Sequence, residues 1–138
     1  MDALTQVTKL LAGREKTRAQ LHADLVRRGF DEPAIEAALE RAKELGYLDD
    51  SRVARRTAVA SLRDGWAGDA LIARLQAKGI DEHTAREALE HAIVELSWRE
   101  ADAANVLMKK RNLTGVKAAR FLASRGFSED VVNRAGNA

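Results

Sequence analysis

Apolar residues recur at helical spacing along the whole chain. Leu4, Val7, Leu10 and Leu11 mark one face of a first helix over 3–12, with Gly13 as its stop. Leu21 and Leu25 mark a second, which opens at Thr17, because Thr17 and Gln20 have the spacing of a capping box. Gly29 ends it, since a residue without a Cβ accepts the positive φ of a helix stop. Phe30 then turns inward, and Asp31 offers its carboxylate to the free N–H groups of the next helix. Pro33 lies in that helix's first turn, where its missing N–H costs nothing. Ile35, Ala38, Leu39, Ala42 and Leu45 continue the stripe over 32–45, up to Gly46-Tyr47-Leu48-Asp49-Asp50.

The same pattern returns twice. Arg28-Gly29-Phe30-Asp31-Glu32 reappears as Lys78-Gly79-Ile80-Asp81-Glu82 and as Arg125-Gly126-Phe127-Ser128-Glu129. The glycines stand 50 and 47 residues apart, and a leucine precedes each by four positions: Leu25, Leu75 and Leu122. A period near 50 is that of a repeat protein. The register predicts further helices over 52–64, 69–78 and 82–97, then 98–111 and 115–125. Leu71 and Leu75 take the places of Leu21 and Leu25, and Ala85, Ala88, Leu89 and Ala92 those of Ile35, Ala38, Leu39 and Ala42. Ala104, Leu107, Met108, Phe121 and Leu122 point inward in the third unit, and Thr114 falls where Thr17 stood, as a cap. The last helix is short: Val132 and Ala135 keep the stripe, Gly136 replaces a leucine, and the end is expected to fray. The expected fold is all-α, with tandem three-helix repeats at 1–50, 51–97 and 98–138. Such units bury little apolar surface alone, so about nine helices should stack into an elongated, curved array.

Composition narrows the chemistry. The chain has 138 residues, 46% of them hydrophobic and 32% charged, which suits soluble helices and not disorder. No apolar run approaches the ~18 residues of a membrane span, and Met1-Asp2-Ala3 lacks the basic start of a secretory signal. With no cysteine there is no thiol chemistry, and a cytoplasmic, monomeric protein is expected. His22, His83 and His91 read as exposed or half-exposed helix residues, and no carboxylate set completes a metal site around them. No phosphate-binding glycine loop follows a strand, so neither cofactor, metal nor catalytic residue is expected. Aromatic residues make up 4%, too few for base-stacking platforms, and Trp66 and Trp98 read as packing at the unit junctions.

Charge is the uneven property. The net charge is only +2, yet no acidic residue occurs from Ala103 to Ser128, where Lys109, Lys110, Arg111, Lys117, Arg120 and Arg125 accumulate. Arg52, Arg56 and Arg63 form a stripe on one helix face, with Arg55 beside it, and the first unit offers Arg14, Lys16, Arg18, Arg27 and Arg28. The third helices are acidic, with Glu32, Glu36, Glu40 and Glu44, then Glu82, Glu87, Glu90 and Glu95. Helix dipoles favour basic residues at C-termini, which accounts for Arg27-Arg28, Lys78 and Lys109–Arg111 but not for the stripe or the acid-free stretch. In-register stacking would give one basic and one acidic side. A helix-turn-helix that reads DNA is disfavoured, because its recognition helices, 32–45 and 82–97, would carry rows of carboxylates towards phosphates.

The segments Arg14-Glu15-Lys16-Thr17-Arg18-Ala19-Gln20-Leu21, Leu25, Arg28-Gly29-Phe30 and Gly46-Tyr47-Leu48-Asp49-Asp50-Ser51-Arg52-Val53-Ala54 together resemble the RecX family of regulators of the recombinase RecA. Leu75-Gln76-Ala77-Lys78-Gly79-Ile80 and Phe121-Leu122-Ala123-Ser124-Arg125-Gly126-Phe127 continue the resemblance over nearly the whole chain. The chain departs from the family's pattern at Val53, where phenylalanine is usual, in its short N-terminal extension and in its short last helix. The resemblance implies tandem three-helix repeats and no enzymatic activity. It also implies binding in the groove of the RecA–single-stranded DNA filament, with less filament growth, ATP hydrolysis, strand exchange and co-protease activity. Direct binding to single-stranded or duplex DNA would be weak. Candidate contacts are Arg52, Arg55, Arg56 and Arg63, then Lys109, Lys110 and Arg111, then Lys117, Arg120 and Arg125. A helical interaction adaptor, and a general DNA-binding protein acting without RecA, remain open as alternatives.

Overall fold

The computed structural model describes residues 1–137. Among them are nine helices and no strand: α1 (Ala3–Gly13), α2 (Arg18–Arg27), α3 (Glu32–Glu44), α4 (Asp50–Arg63), α5 (Gly68–Ala77), α6 (Glu82–Leu96), α7 (Glu100–Arg111), α8 (Gly115–Ser124) and α9 (Glu129–Gly136). Their starts follow from local chemistry. Asp31, Asp81 and Ser128 each accept a hydrogen bond from the backbone N–H three residues on, opening α3, α6 and α9. Thr17 and Gln20 form the reciprocal capping box at α2. Thr114 occupies the same place before α8 but makes no side-chain cap bond.

Each triplet of helices closes on its own apolar cluster. Val7, Leu21, Leu25, Ile35 and Leu39 are fully buried in the first, and Leu71, Leu75, Ala85 and Ala92 in the second. Ala118 and Leu122 centre the third, beside Phe127 and Val131. Val53 is buried, at 7% exposure. Two details differ from the sequence pattern. Leu45 is exposed, because the helix has already ended there as a C-cap. In α9 the more buried valine is Val131, with Val132 packed at the edge of the cluster. The helix runs to Gly136, with Val131 and Ala135 buried.

The units are joined in one recurring way. The Thr17 hydroxyl, fully buried, donates to the Lys78 carbonyl at 2.5 Å, which ties the N-cap of α2 to the C-cap of α5. The Ala67 N–H donates to the Arg125 carbonyl at 2.8 Å, which ties the N-cap of α5 to the C-cap of α8. The three middle helices therefore meet end to end, α8 to α5 to α2, each C-cap against the next N-cap. Each meeting point needs a glycine. Gly79 (φ +89°) lies so close to Ala19, and Gly126 (φ +90°) so close to the Ala67 carbonyl, that a Cβ on either would collide.

Candidate functional site

The predicted basic residues separate into two groups. Arg52 and Arg56 both reach Glu15, at 3.3 and 2.9 Å, and so bridge the first two units. Arg55 pairs with Glu87 at 2.6 Å. On the first unit, Arg18 pairs with Glu36 and Glu40, and His22 meets Glu32. Much of the acidic third-helix surface is thereby matched by basic residues of neighbouring helices, and the sharp division into two faces is muted there. Arg63, Lys109, Lys110, Arg111, Lys117, Arg120 and Arg125 are different: among the described residues, none has a carboxylate within 4.0 Å.

Part of this unpaired group is organised. The Arg74 guanidinium lies 4.4 Å from the centre of the Trp66 ring, and that of Arg125 lies 4.3 Å from the same ring. Arg125 is also 4.9 Å from the centre of Phe121, which carries Arg111 at 4.4 Å. Three guanidiniums and two rings thus form a ladder across the junction of the second and third units. Arg74 and Arg111 are exposed, whereas Arg125, Trp66 and Phe121 are half-buried. Each cation–π contact contributes about 0.5–1 kcal/mol at an exposed site. Burial, then the charges of Arg111 and Arg74, push the Arg125 guanidinium below its ordinary pKa, against the opposing influence of Asp64.

Beside the ladder runs an open groove of about 380 Å³ between the end of α4 and α7. Leu62, Trp98 and Leu107 are among its apolar lining; Arg63, Lys110 and Arg111 bring positive charge to it, against the one carboxylate of Asp64. Trp98 also packs against both the second and third clusters, and its ring centre is 6.1 Å from that of Phe127, in keeping with its reading as junction packing. Lys109, Lys117 and Arg120 are exposed elsewhere on α7 and α8.

His22, Glu32 and Glu36 come together with potential ligand atoms within 4.8 Å of one another, a grouping the linear spacing did not suggest. His22 and Glu32 already engage each other at 2.7 Å, and the Arg18 guanidinium 2.5 Å from Glu36 opposes a further cation. Among the described residues no helix is long and apolar enough to cross a membrane.

Residues 3–41 match the family described as RecX, first three-helix domain. The Regulatory protein RecX of a Thermus thermophilus strain is 38% identical over 127 residues, covering 91% of this chain and 84% of the relative. The chain belongs to the RecX family. The Regulatory protein RecX of Syntrophotalea carbinolica is 40% identical over 100 residues, which span 72% of this chain and 65% of that relative. A crystal structure of RecX from Lactobacillus salivarius superposes with a TM-score of 0.76 at 17% identity, over 96% of this chain and 91% of that one. A second RecX crystal structure gives 0.78 at 22% identity, over 99% and 72%. At those identities the structures speak for the fold, and the sequence relatives for the family, whose members are named regulatory proteins.

The RecX first-domain match covers the first unit, while the ladder lies in the other two. Sequence reasoning found Arg111 and Arg125 but missed Arg74. Its partner ring, Trp66, is eight positions away, and only the folded junction brings Arg125 to the same ring.

Proposed function

We propose that this RecX-family chain regulates RecA by binding in the groove of the RecA–single-stranded DNA filament. Bound there, it limits filament growth and lowers ATP hydrolysis, strand exchange and co-protease activity. It acts in the cytoplasm and by occupancy, with no chemistry of its own. The observation that carries this reading is the unpaired basic surface of α7 and α8, continued onto the second unit by Arg74 and Arg63. A filament of nucleic acid and protein offers a long anionic track, and a row of stacked units can lie along one. Exposed charges contribute little one by one, but a field of one sign speeds and orients encounter. Arg52, Arg55 and Arg56 contribute first to the inner structure through Glu15 and Glu87.

The test is RecA's single-strand-dependent ATP hydrolysis, titrated with this protein. Hydrolysis should fall at protein concentrations well below those that coat the free DNA. A fall only when the DNA is saturated would mean simple competition for DNA. No fall at all would leave an adaptor for some other partner.

A further inference from the structure

Each junction inside the chain joins two unlike faces. The face turned to the following unit carries the N-cap of a middle helix, Thr17 or Ala67, and both are fully buried there. The face turned to the preceding unit carries the C-cap of the next middle helix, Lys78 or Arg125, whose carbonyl accepts a hydrogen bond across the junction. Three units make two junctions, so one face of each kind is left over. On the third unit it is the end at Thr114 and Gly115, and on the first it is the end at Arg28 and Gly29.

Both leftover faces have the form of the filled ones. Gly29 (φ +88°) has the backbone of Gly79 and Gly126, which abut Ala19 and the Ala67 carbonyl, yet only open space surrounds it. Gly115 (φ +60°) likewise has the left-handed backbone of Gly68 (φ +46°), on which the Gly126 carbonyl rests, and again only open space. A positive φ alone favours glycine; what differs is that the space beyond is occupied at the junctions and empty at the ends. Thr114 is exposed and its side chain caps nothing, whereas the Thr17 hydroxyl is engaged with Lys78. Thr114 borders an open hollow of about 460 Å³ lined also by Met108, Lys109, Asn112 and Leu113. By register Asn112 stands where Glu15 receives Arg52 and Arg56, and where Gly65 receives Leu107. The hollow therefore lies where a following unit would seat.

Repeat arrays ordinarily end in units with a polar outer face, which stops addition. Here Val26, in the last turn of α2, and Val116, in the first turn of α8, are exposed. Charge also favours a meeting of the two ends. Residues 1–50 hold 8 basic and 10 acidic side chains, whereas residues 98–138 hold 8 and 4. The first unit is net negative and the third net positive, so chains set end to end bring opposite charges together.

We propose that the partner of these faces is a second copy of this chain. The first unit of one copy seats on the third unit of another, with Arg28 and Gly29 against Thr114 and Gly115. The Thr114 hydroxyl then donates to the Arg28 carbonyl, as the Thr17 hydroxyl does to that of Lys78. The contact is heterologous: each copy keeps one free end, so addition does not stop at two. In dilute solution the chain is the monomer expected from its sequence, and the contact forms where copies are crowded. It stands on the fold alone and is independent of the RecA reading.

The test is sedimentation of the full chain, without RecA or DNA, from about 10 μM to about 1 mM, the range in which weak contacts form. At about 50 mM salt the average mass should rise with concentration and pass that of a dimer. At about 500 mM salt, where charges are screened within a few ångströms, it should fall back towards the monomer. Thr114→Arg sets bulk and a like charge against Arg28, and sacrifices no cap bond. Gly29→Asn blocks the other end, because Asn tolerates a left-handed backbone and has open space around it within the chain. Circular dichroism checks that both variants keep their helices. Each variant alone should stay monomeric. Mixed in equal amounts they should form a 1:1 dimer and stop there, since each supplies the end that the other lacks. A wild-type mass that stays at the monomer throughout, that levels off at a dimer, or that neither variant reduces would overturn the proposal, and so would a mixture that remains monomeric.

Discussion

Thr17 and Lys78, 61 residues apart, share a hydrogen bond in which the buried hydroxyl of one donates to the carbonyl of the other. The same hydroxyl accepts from the Gln20 N–H at 3.2 Å. One atom therefore both caps α2 and fastens it to the next unit. Thr17→Val keeps the shape and removes both bonds, leaving a buried carbonyl and an N–H to be satisfied elsewhere. The expected loss is about 1–3 kcal/mol in a urea unfolding experiment. A loss within the error of the wild-type curve would mean that the junction contributes nothing measurable.

The repeated glycines separate the backbone cost of a turn from the cost of a junction. Gly29 and Gly126 have nearly the same φ, +88° and +90°, but Gly29 has open space around it while Gly126 abuts Ala67 and Ala70. Gly29→Ala should cost only the left-handed penalty of about 1–2 kcal/mol. Gly126→Ala should lose a further 1–3 kcal/mol or so from overpacking, and its denaturant curve should broaden as the third unit loosens from the second. Equal losses in the two variants would contradict the close packing at Ala67.

Asp24 sets part of the acid stability. The hydrogen bond from Lys16 holds its carboxyl below the ordinary value of 3.8, helped by the charges of Lys16, Arg27 and Arg28 and opposed by burial. Because the folded value is depressed, the stabilisation is complete above the unfolded value and is lost as pH falls through the folded one. Asp24→Asn should therefore lower stability near neutral pH and flatten the decline below about pH 4. Thermal melts across that range distinguish this from a uniform loss.

The two basic groups should respond differently to charge reversal. Arg63→Glu with Lys110→Glu changes unpaired residues at the groove, and should weaken inhibition of RecA's ATP hydrolysis about tenfold, or ~1.4 kcal/mol, with the melting temperature nearly unchanged. Arg52→Glu with Arg56→Glu puts two carboxylates against Glu15. That pair should lower the melting temperature and loosen the first junction, with less effect on inhibition at temperatures where the protein stays folded. The reverse ranking would move the working surface to α4.

What could be read from the chain follows the range of the forces involved. Caps at Asp31, Asp81 and Ser128 act over three residues, so their spacing is visible, and the three glycine turns show the period. The all-α repeat fold is legible for that reason. Thr114 shows the limit: it has the place of Thr17 but not its bond. Val131 displaces Val132 because the short α9 settles against α8 with its own rotation, which a register carried over from other units does not contain. The charged surface was legible as composition and not as pairing. That Glu15 takes up both Arg52 and Arg56, or that Arg74 and Arg125 share Trp66, depends on how units meet.

The end-to-end order of the middle helices runs against the order of synthesis. A ribosome delivers the first unit first, yet α2 is fastened by a carbonyl at residue 78 and α5 by one at residue 125. The earlier helix of each pair waits, with its terminal anchor unmade, until the first two helices of the following unit have emerged. Maturation of this chain is thus retroactive: each new unit completes the one made before it, and a nascent chain halted after the first fifty or so residues holds a helix whose seat has yet to be made.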